Sequence, residues 1–148
     1  MRILLVTGSF PPMMCGVGDY TACLAEELGR LDDTSVAVLT SHEGETDNTP
    51  RRNYEVFPII RKWRFWSFLQ IAQVVRRWRP DIVHMQFPTQ GYCGGRLSLL
   101  LPSLAFLLNI KVVQTWHEYY TKENTNIGLL PNMIIPGGLI AVRPDYKA

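Results

Sequence analysis

Six short apolar runs rich in β-branched residues punctuate the chain, at 3–7 (ILLVT), 36–40 (VAVLT), 55–59 (EVFPI), 82–86 (IVHMQ), 111–116 (KVVQTW) and 139–143 (LIAVR). Four of them show little alternation, as strands of a parallel sheet do when both faces are covered. Helix-like patterns lie between them. Residues 19–30 set Tyr20, Cys23, Leu24, Glu27 and Leu28 at helical spacing, with Asp19 as a candidate N-cap. Residues 65–78 align Phe65, Phe68, Leu69, Ala72 and Val75 on one face, which Arg76 ends. Residues 96–108 form a third pattern that Pro102 should kink or split. Parallel strands need long crossovers. The alternation therefore predicts an α/β fold, a doubly wound parallel sheet of about six strands with right-handed crossovers.

The 148 residues suit one domain, with roughly two-thirds of the unfolded surface buried. The sequence stops at "RPDYKA", just after the sixth strand signal, where a doubly wound domain normally continues into another helix. A fragment or a shortened gene product is the expectation. The N-terminus lacks the long apolar region of a secretory signal. The longest nearly apolar stretch, 97–108, is shorter than the roughly 20 residues that cross a bilayer. Three cysteines (Cys15, Cys23 and Cys93), an odd number without paired spacing, read as reduced thiols in a cytoplasmic protein.

A net charge of +2 does not by itself suggest a nucleic-acid partner. The charge is unevenly spread, however. Residues 51–80 hold eight basic side chains and one acid, Glu55, interleaved with Trp63, Phe65, Trp66, Phe68 and Trp78. This mixture suits an anionic membrane surface or single-stranded nucleic acid. It equally suits a core helix with a solvated basic face.

The densest chemistry lies in "SFPPMMCGVGDY", Ser9 to Tyr20, between the first strand and the first helix. In a doubly wound sheet this is the ligand-bearing edge. Gly16 and Gly18 admit a ligand to the backbone and tolerate positive φ. The helix opening at Gly18-Asp19 offers free N–H groups to a phosphate. The dinucleotide fingerprint G-x-G-x-x-G fails, because Thr21 stands where its last glycine would, and no Gly-Lys-Ser/Thr completes a Walker A loop. A nicotinamide dehydrogenase is thus the third reading of the chain.

Three segments in order, "VTGSFPPMMCGVGDYTACLAEEL", "RPDIVHMQFPTQGYCGG" and "KVVQTWHEYYT", resemble the amino-terminal domain of the family 4, or group 1, retaining glycosyltransferases. The resemblance covers nearly the whole chain. It implies the two-domain GT-B architecture, with 1–148 as a single Rossmann-like, acceptor-side domain and the carboxy-terminal donor domain absent. It also implies a nucleotide-sugar donor, a glycan or lipid-linked hydroxyl acceptor, and no bound metal. By position it assigns Gly16 and Gly18 to the donor diphosphate and His117 to the transferred sugar. Phe10, Met13, Gln86, Phe87, Gln90 and Tyr92 would face the acceptor, with Glu118 beside His117. The basic pair and the Glu-x7-Glu motif that clamp the nucleotide sugar are not in this chain.

His84, in "IVHMQ", reads as a satisfied core histidine. His42, His84, His117 and the cysteines lack zinc spacing, and no G-x-S-x-G elbow supports a serine nucleophile. Cys15 reads as a packed thiol beside the glycine loop. The alternative to a transferase is a non-catalytic anion- or partner-binding module.

Overall fold

A computed structural model describes residues 1–44, 53–64, 66–92, 97–117 and 137–142, the side chains at 97–99 excepted. Strands β1 (Arg2–Val6), β2 (Ser35–Ser41), β3 (Tyr54–Ile60), β4 (Ile82–Phe87), β5 (Lys111–Trp116) and β6 (Gly138–Ala141) form one sheet in the order β3-β2-β1-β4-β5-β6. Every pairing is parallel. All six strand signals thus fall in strands, in the order of a dinucleotide-binding doubly wound sheet. Pro58 lies in β3, an edge strand, where its missing N–H costs no ladder bond.

Side-chain alternation splits the core between the two sheet faces. On one face, Leu4, Val6, Ala37, Leu39, Val83, Met85, Phe87 and Val112 pack beneath helices α2 (Ser67–Trp78) and α3 (Leu97–Leu107). On the other, Ile3, Leu5, Val36 and Val38 meet helix α1 (Gly16–Gly29). His84 and Gln86 alternate with the first set along β4, so they share the α1 side of the sheet.

The helices depart from their sequence patterns in register. α1 begins at Gly16, three residues before the expected cap at Asp19, and Cys15 stands at its N-cap. Its buried residues are Gly18, Thr21 and Ala25, while Tyr20, Cys23 and Glu27 are exposed. Small side chains let α1 lie close to the sheet, and that closeness decided which face turned inward. α2 buries Ile71, Val75 and Trp78, an i, i+4, i+7 stripe, and leaves Leu69 61% exposed. It runs past Arg76 to Trp78, closed by Arg79 in the left-handed region at φ 51°. Phe65 lies outside the described residues. Pro102 sits inside α3 without splitting it. The helix tolerates the single ladder bond that proline removes because Leu101, Leu104 and Ala105 are buried against the core. Among the described residues no helix is long and apolar enough to cross a membrane.

Candidate functional site

The loops after β1 and β4 interlock at the carboxyl edge of the sheet. Gly8 and Gly91 meet there so closely that a Cβ on Gly91 would lie 1.7 Å from the Gly8 carbonyl oxygen. The Gly91 amide donates to Ser9 Oγ at 2.7 Å, and Ser41 Oγ donates to the Gly8 carbonyl. Trp63 Nε1 donates to Ser41 Oγ at 2.9 Å. The Tyr92 hydroxyl donates to the Gln86 carbonyl at 2.9 Å, and burial drives its pKa far above the usual phenol value. Both loops carry a cis proline bond, Pro11-Pro12 and Phe87-Pro88. These contacts make a rigid two-loop floor on which α1 starts.

The first helical amide to find a backbone partner is that of Asp19, which donates to the Cys15 carbonyl at 3.0 Å. The amides of Gly16, Val17 and Gly18 donate to no backbone carbonyl among the described residues. The two glycines of the expected phosphate loop have different surroundings. A Cβ at Gly16 would meet nothing within 4 Å, and the residue is exposed. Gly18 is buried, and a Cβ there would press to 3.0 Å from the Ser9 carbonyl oxygen. Neither glycine has positive φ, because both belong to the helix. Gly16 leaves the backbone open to a ligand, and Gly18 lets the helix sit down on the loop.

Cys15 is half-buried at the N-cap of α1. Burial raises its pKa, but the Gly18 backbone, the Ser9 hydroxyl and the backbones of Gln90 and Val17 together hold it below the ordinary thiol value. The groups at the start of α1 thus favour negative charge, as an N-terminal dipole does.

His117 follows β5, and its amide donates to the Phe87 carbonyl at 2.8 Å, tying the ends of β4 and β5 together. Its Nε2 lies 2.9 Å from Gln86 Oε1, and its ring meets Tyr20 of α1 edge-on at 5.0 Å between centroids. The ring is half-buried, and burial lowers its pKa. His84 is the core histidine its sequence context implied: it is 8% exposed, with Nε2 2.8 Å from Thr115 Oγ1. Burial, reinforced by repulsion from His117, holds it down at about 4. Neutral imidazoles therefore line this edge at neutral pH.

The other expected acceptor residues separate. Gln90 is exposed on the rim and Met13 half-exposed, its amide donating to the Phe10 carbonyl at 3.0 Å. Phe10 is fully buried beneath α1, and Phe87 and Tyr92 are buried on the opposite sheet face. As placed, these three aromatics shape the loops from inside and present no surface to an acceptor. Glu118 and Cys93 lie outside the described residues. Sequence reasoning missed Gly8, Ser9, Ser41, Trp63 and Gly91, whose roles are contacts between distant segments. It also missed Tyr20 as a partner of His117. The aromatic next to an opening helix was a signal for it, but the sequence placed that ring only at helical spacing with Cys23, Leu24, Glu27 and Leu28.

Among the described residues, three buried side-chain atoms find no hydrogen-bond partner: Thr40 Oγ1, Gln86 Nε2 and Thr89 Oγ1. All three belong to the carboxyl ends of β2 and β4 or the loop just beyond. An unpaired buried group costs about 1–3 kcal/mol. Such costs gathered at the ligand-bearing edge mark it as a place where packing was not the only requirement.

Comparison with known proteins bears on the fold and the family. A solved structure of dTDP-glucose 4,6-dehydratase from Bacillus anthracis, in complex with NAD, superposes with a TM-score of 0.58 at 13% identity. It covers 95% of this chain, which spans 53% of the dehydratase. At that identity the likeness establishes the Rossmann-like fold. No match was found among curated proteins. The family model described as Glycosyltransferase Family 4 matches residues 14–135, from the N-terminal edge of α1 to beyond His117. The chain belongs to Glycosyltransferase Family 4, and supplies a domain of the amino-terminal type.

Proposed function

We propose that this chain is the acceptor-side half of a retaining GT-B glycosyltransferase, which passes a sugar from a nucleotide-sugar donor to the hydroxyl of a glycan or lipid-linked acceptor. The observation that carries this reading is the Tyr20–His117 contact, 5.0 Å between ring centroids. It brings a neutral imidazole to the start of α1, where the amides of Gly16, Val17 and Gly18 donate to no backbone carbonyl among the described residues. The amides of Gly16 and Val17 meet the donor diphosphate as leaving-group charge develops, where fixed dipoles act most strongly. His117 holds the transferred sugar. Gln90 and Met13 border the acceptor. Amides and basic side chains, without a resident metal, carry the diphosphate charge.

Magnitudes decide how the donor is gripped. A helix N-terminus contributes at most about 2 kcal/mol towards holding an anion. Micromolar affinity needs roughly 8 kcal/mol. A second Rossmann-like domain therefore supplies most of the grip, and the 148-residue chain alone is expected to show no turnover. The test is nucleotide-diphosphate release by the complete protein across a panel of nucleotide sugars, with Gly16→Val alongside. Acceptor-dependent release is expected, and Gly16→Val should weaken donor binding about tenfold, or about 1.4 kcal/mol, without loss of fold. No binding of any nucleotide sugar, or a Gly16→Val protein that binds as well as the wild type, would overturn the reading.

A second observation favours contact with a membrane at the cytoplasmic face. Trp66 is 78% and Leu69 61% exposed, and the exposed Arg61, Lys62, Arg64, Arg76 and Arg77 surround them in sequence. Each basic side chain near an anionic surface contributes about 1 kcal/mol. Sedimentation with phosphatidylserine vesicles should pull the protein down, and neutral vesicles should leave it in solution. Equal partition onto both, or no loss on Trp66→Ser, would count against the surface.

A further inference from the structure

We propose that Gln86 is a positioning residue for His117: its Oε1 accepts the Nε2–H of the ring at 2.9 Å and so holds the neutral imidazole in one tautomer, with Nδ1 as a hydrogen-bond acceptor. The chemistry follows from the partner. An amide oxygen only accepts, so the nitrogen facing it must carry the proton. A neutral imidazole has one proton, and Nδ1 is left with its lone pair.

The surroundings make the arrangement firm. Gln86 is fully buried near the end of β4, between β1 and β5. Its own carbonyl accepts the Tyr92 hydroxyl, and the His117 amide is tied to Phe87. Tyr20 bounds the other side of the ring. Turning the amide by half a rotation would reverse the outcome: Nε2 of Gln86 would face the ring, and His117 would carry its proton on Nδ1. Gln86 Nε2 has no partner in its present orientation. Among the described residues, the Oε1 contact with His117 is the side-chain hydrogen bond that the buried Gln86 amide makes.

The assignment sharpens what His117 takes. A ring presenting a lone pair binds a hydrogen-bond donor, such as a sugar hydroxyl, and repels a phosphate oxygen. This consequence rests on the glycosyltransferase reading, but the tautomer itself does not, and it is measured without any sugar.

The experiment uses the chain labelled with ¹⁵N-histidine and long-range ¹H–¹⁵N correlation at neutral pH. His117 is expected as the Nε2–H form, and folded Gln86→Leu should show the two tautomers exchanging. An Nδ1–H form in the wild type, or an unchanged tautomer in folded Gln86→Leu, overturns the proposal. Should Gln86→Leu not fold, Gln86→Glu takes its place. A carboxylate at that position should raise the His117 pKa by about one unit or more, with Tyr20 of α1 and His84 of β4, the titratable groups facing it, left as they are. No rise in that variant overturns the proposal. Failure here would leave the transfer assay untouched, and failure there would leave the tautomer standing.

Discussion

Gly91→Ala is expected to unfold the domain or leave it barely stable, with a loss of about 4 kcal/mol or more. The added Cβ would sit 1.7 Å from the Gly8 carbonyl oxygen, 2.2 Å from the Gly8 carbonyl carbon and 2.8 Å from the Ser9 nitrogen. These are backbone atoms, so no rotamer change relieves the overlap. The loops after β1 and β4 would have to part. Parting breaks the Gly91–Ser9 bond and draws Gly8 away from Ser41, whose hydroxyl also accepts from Trp63. Gly16→Ala is the matched control. Its Cβ enters open space at the first turn of α1, so its urea midpoint should stay within about 0.5 kcal/mol of the wild type. Equal midpoints for the two variants would show that the interlocked loops are not what holds this edge.

Acidification is expected to remove about 3 kcal/mol of stability between pH 6.5 and pH 4 through His84 alone. Burial first, and repulsion from His117 second, lower its folded pKa from 6.5 to about 4. Between those values the unfolded chain holds a proton that the folded chain does not. Stability from this group is therefore complete above pH 6.5, falls as pH drops, and is lost once pH passes below the folded pKa. His117, lowered by burial, acts in the same direction. Urea midpoints taken from pH 7.5 to pH 4 check this, with His84→Gln as the comparison. The variant keeps a polar group beside Thr115 and removes the titration, so its curve should be the flatter. Parallel curves would assign the acid sensitivity to carboxylates instead.

Much of the fold was legible because strand and helix signals are local. Each apolar run between turn residues became a strand, Ile82–Phe87 and Lys111–Trp116 almost to the residue. The orientation of the helices was less legible. The pattern set Leu69 on the apolar face of its helix, yet anchoring by Ile71, Val75 and Trp78 turned it out, and close packing by Gly18, Thr21 and Ala25 left Tyr20 exposed. A helix rotates to seat its best-fitting stripe against what lies beneath it, and that surface is built from other segments.

The site divides in the same way. From the sequence alone came the glycine-bearing entry to the first helix, the histidine at the end of the fifth strand, and the doubly wound sheet that puts both at one edge. The helix entry and the sheet follow from the backbone preferences and periodicity of single segments, and the role given to His117 follows from the family resemblance. Only the tertiary structure decided that Gly8 abuts Gly91, that Gln86 meets His117 across 31 residues, and that Gly16 stays open while Gly18 is packed. Phe10, Phe87 and Tyr92 went inside for the same reason. Whether a loop side chain faces solvent depends on the second loop laid against it, and no local pattern carries that distance.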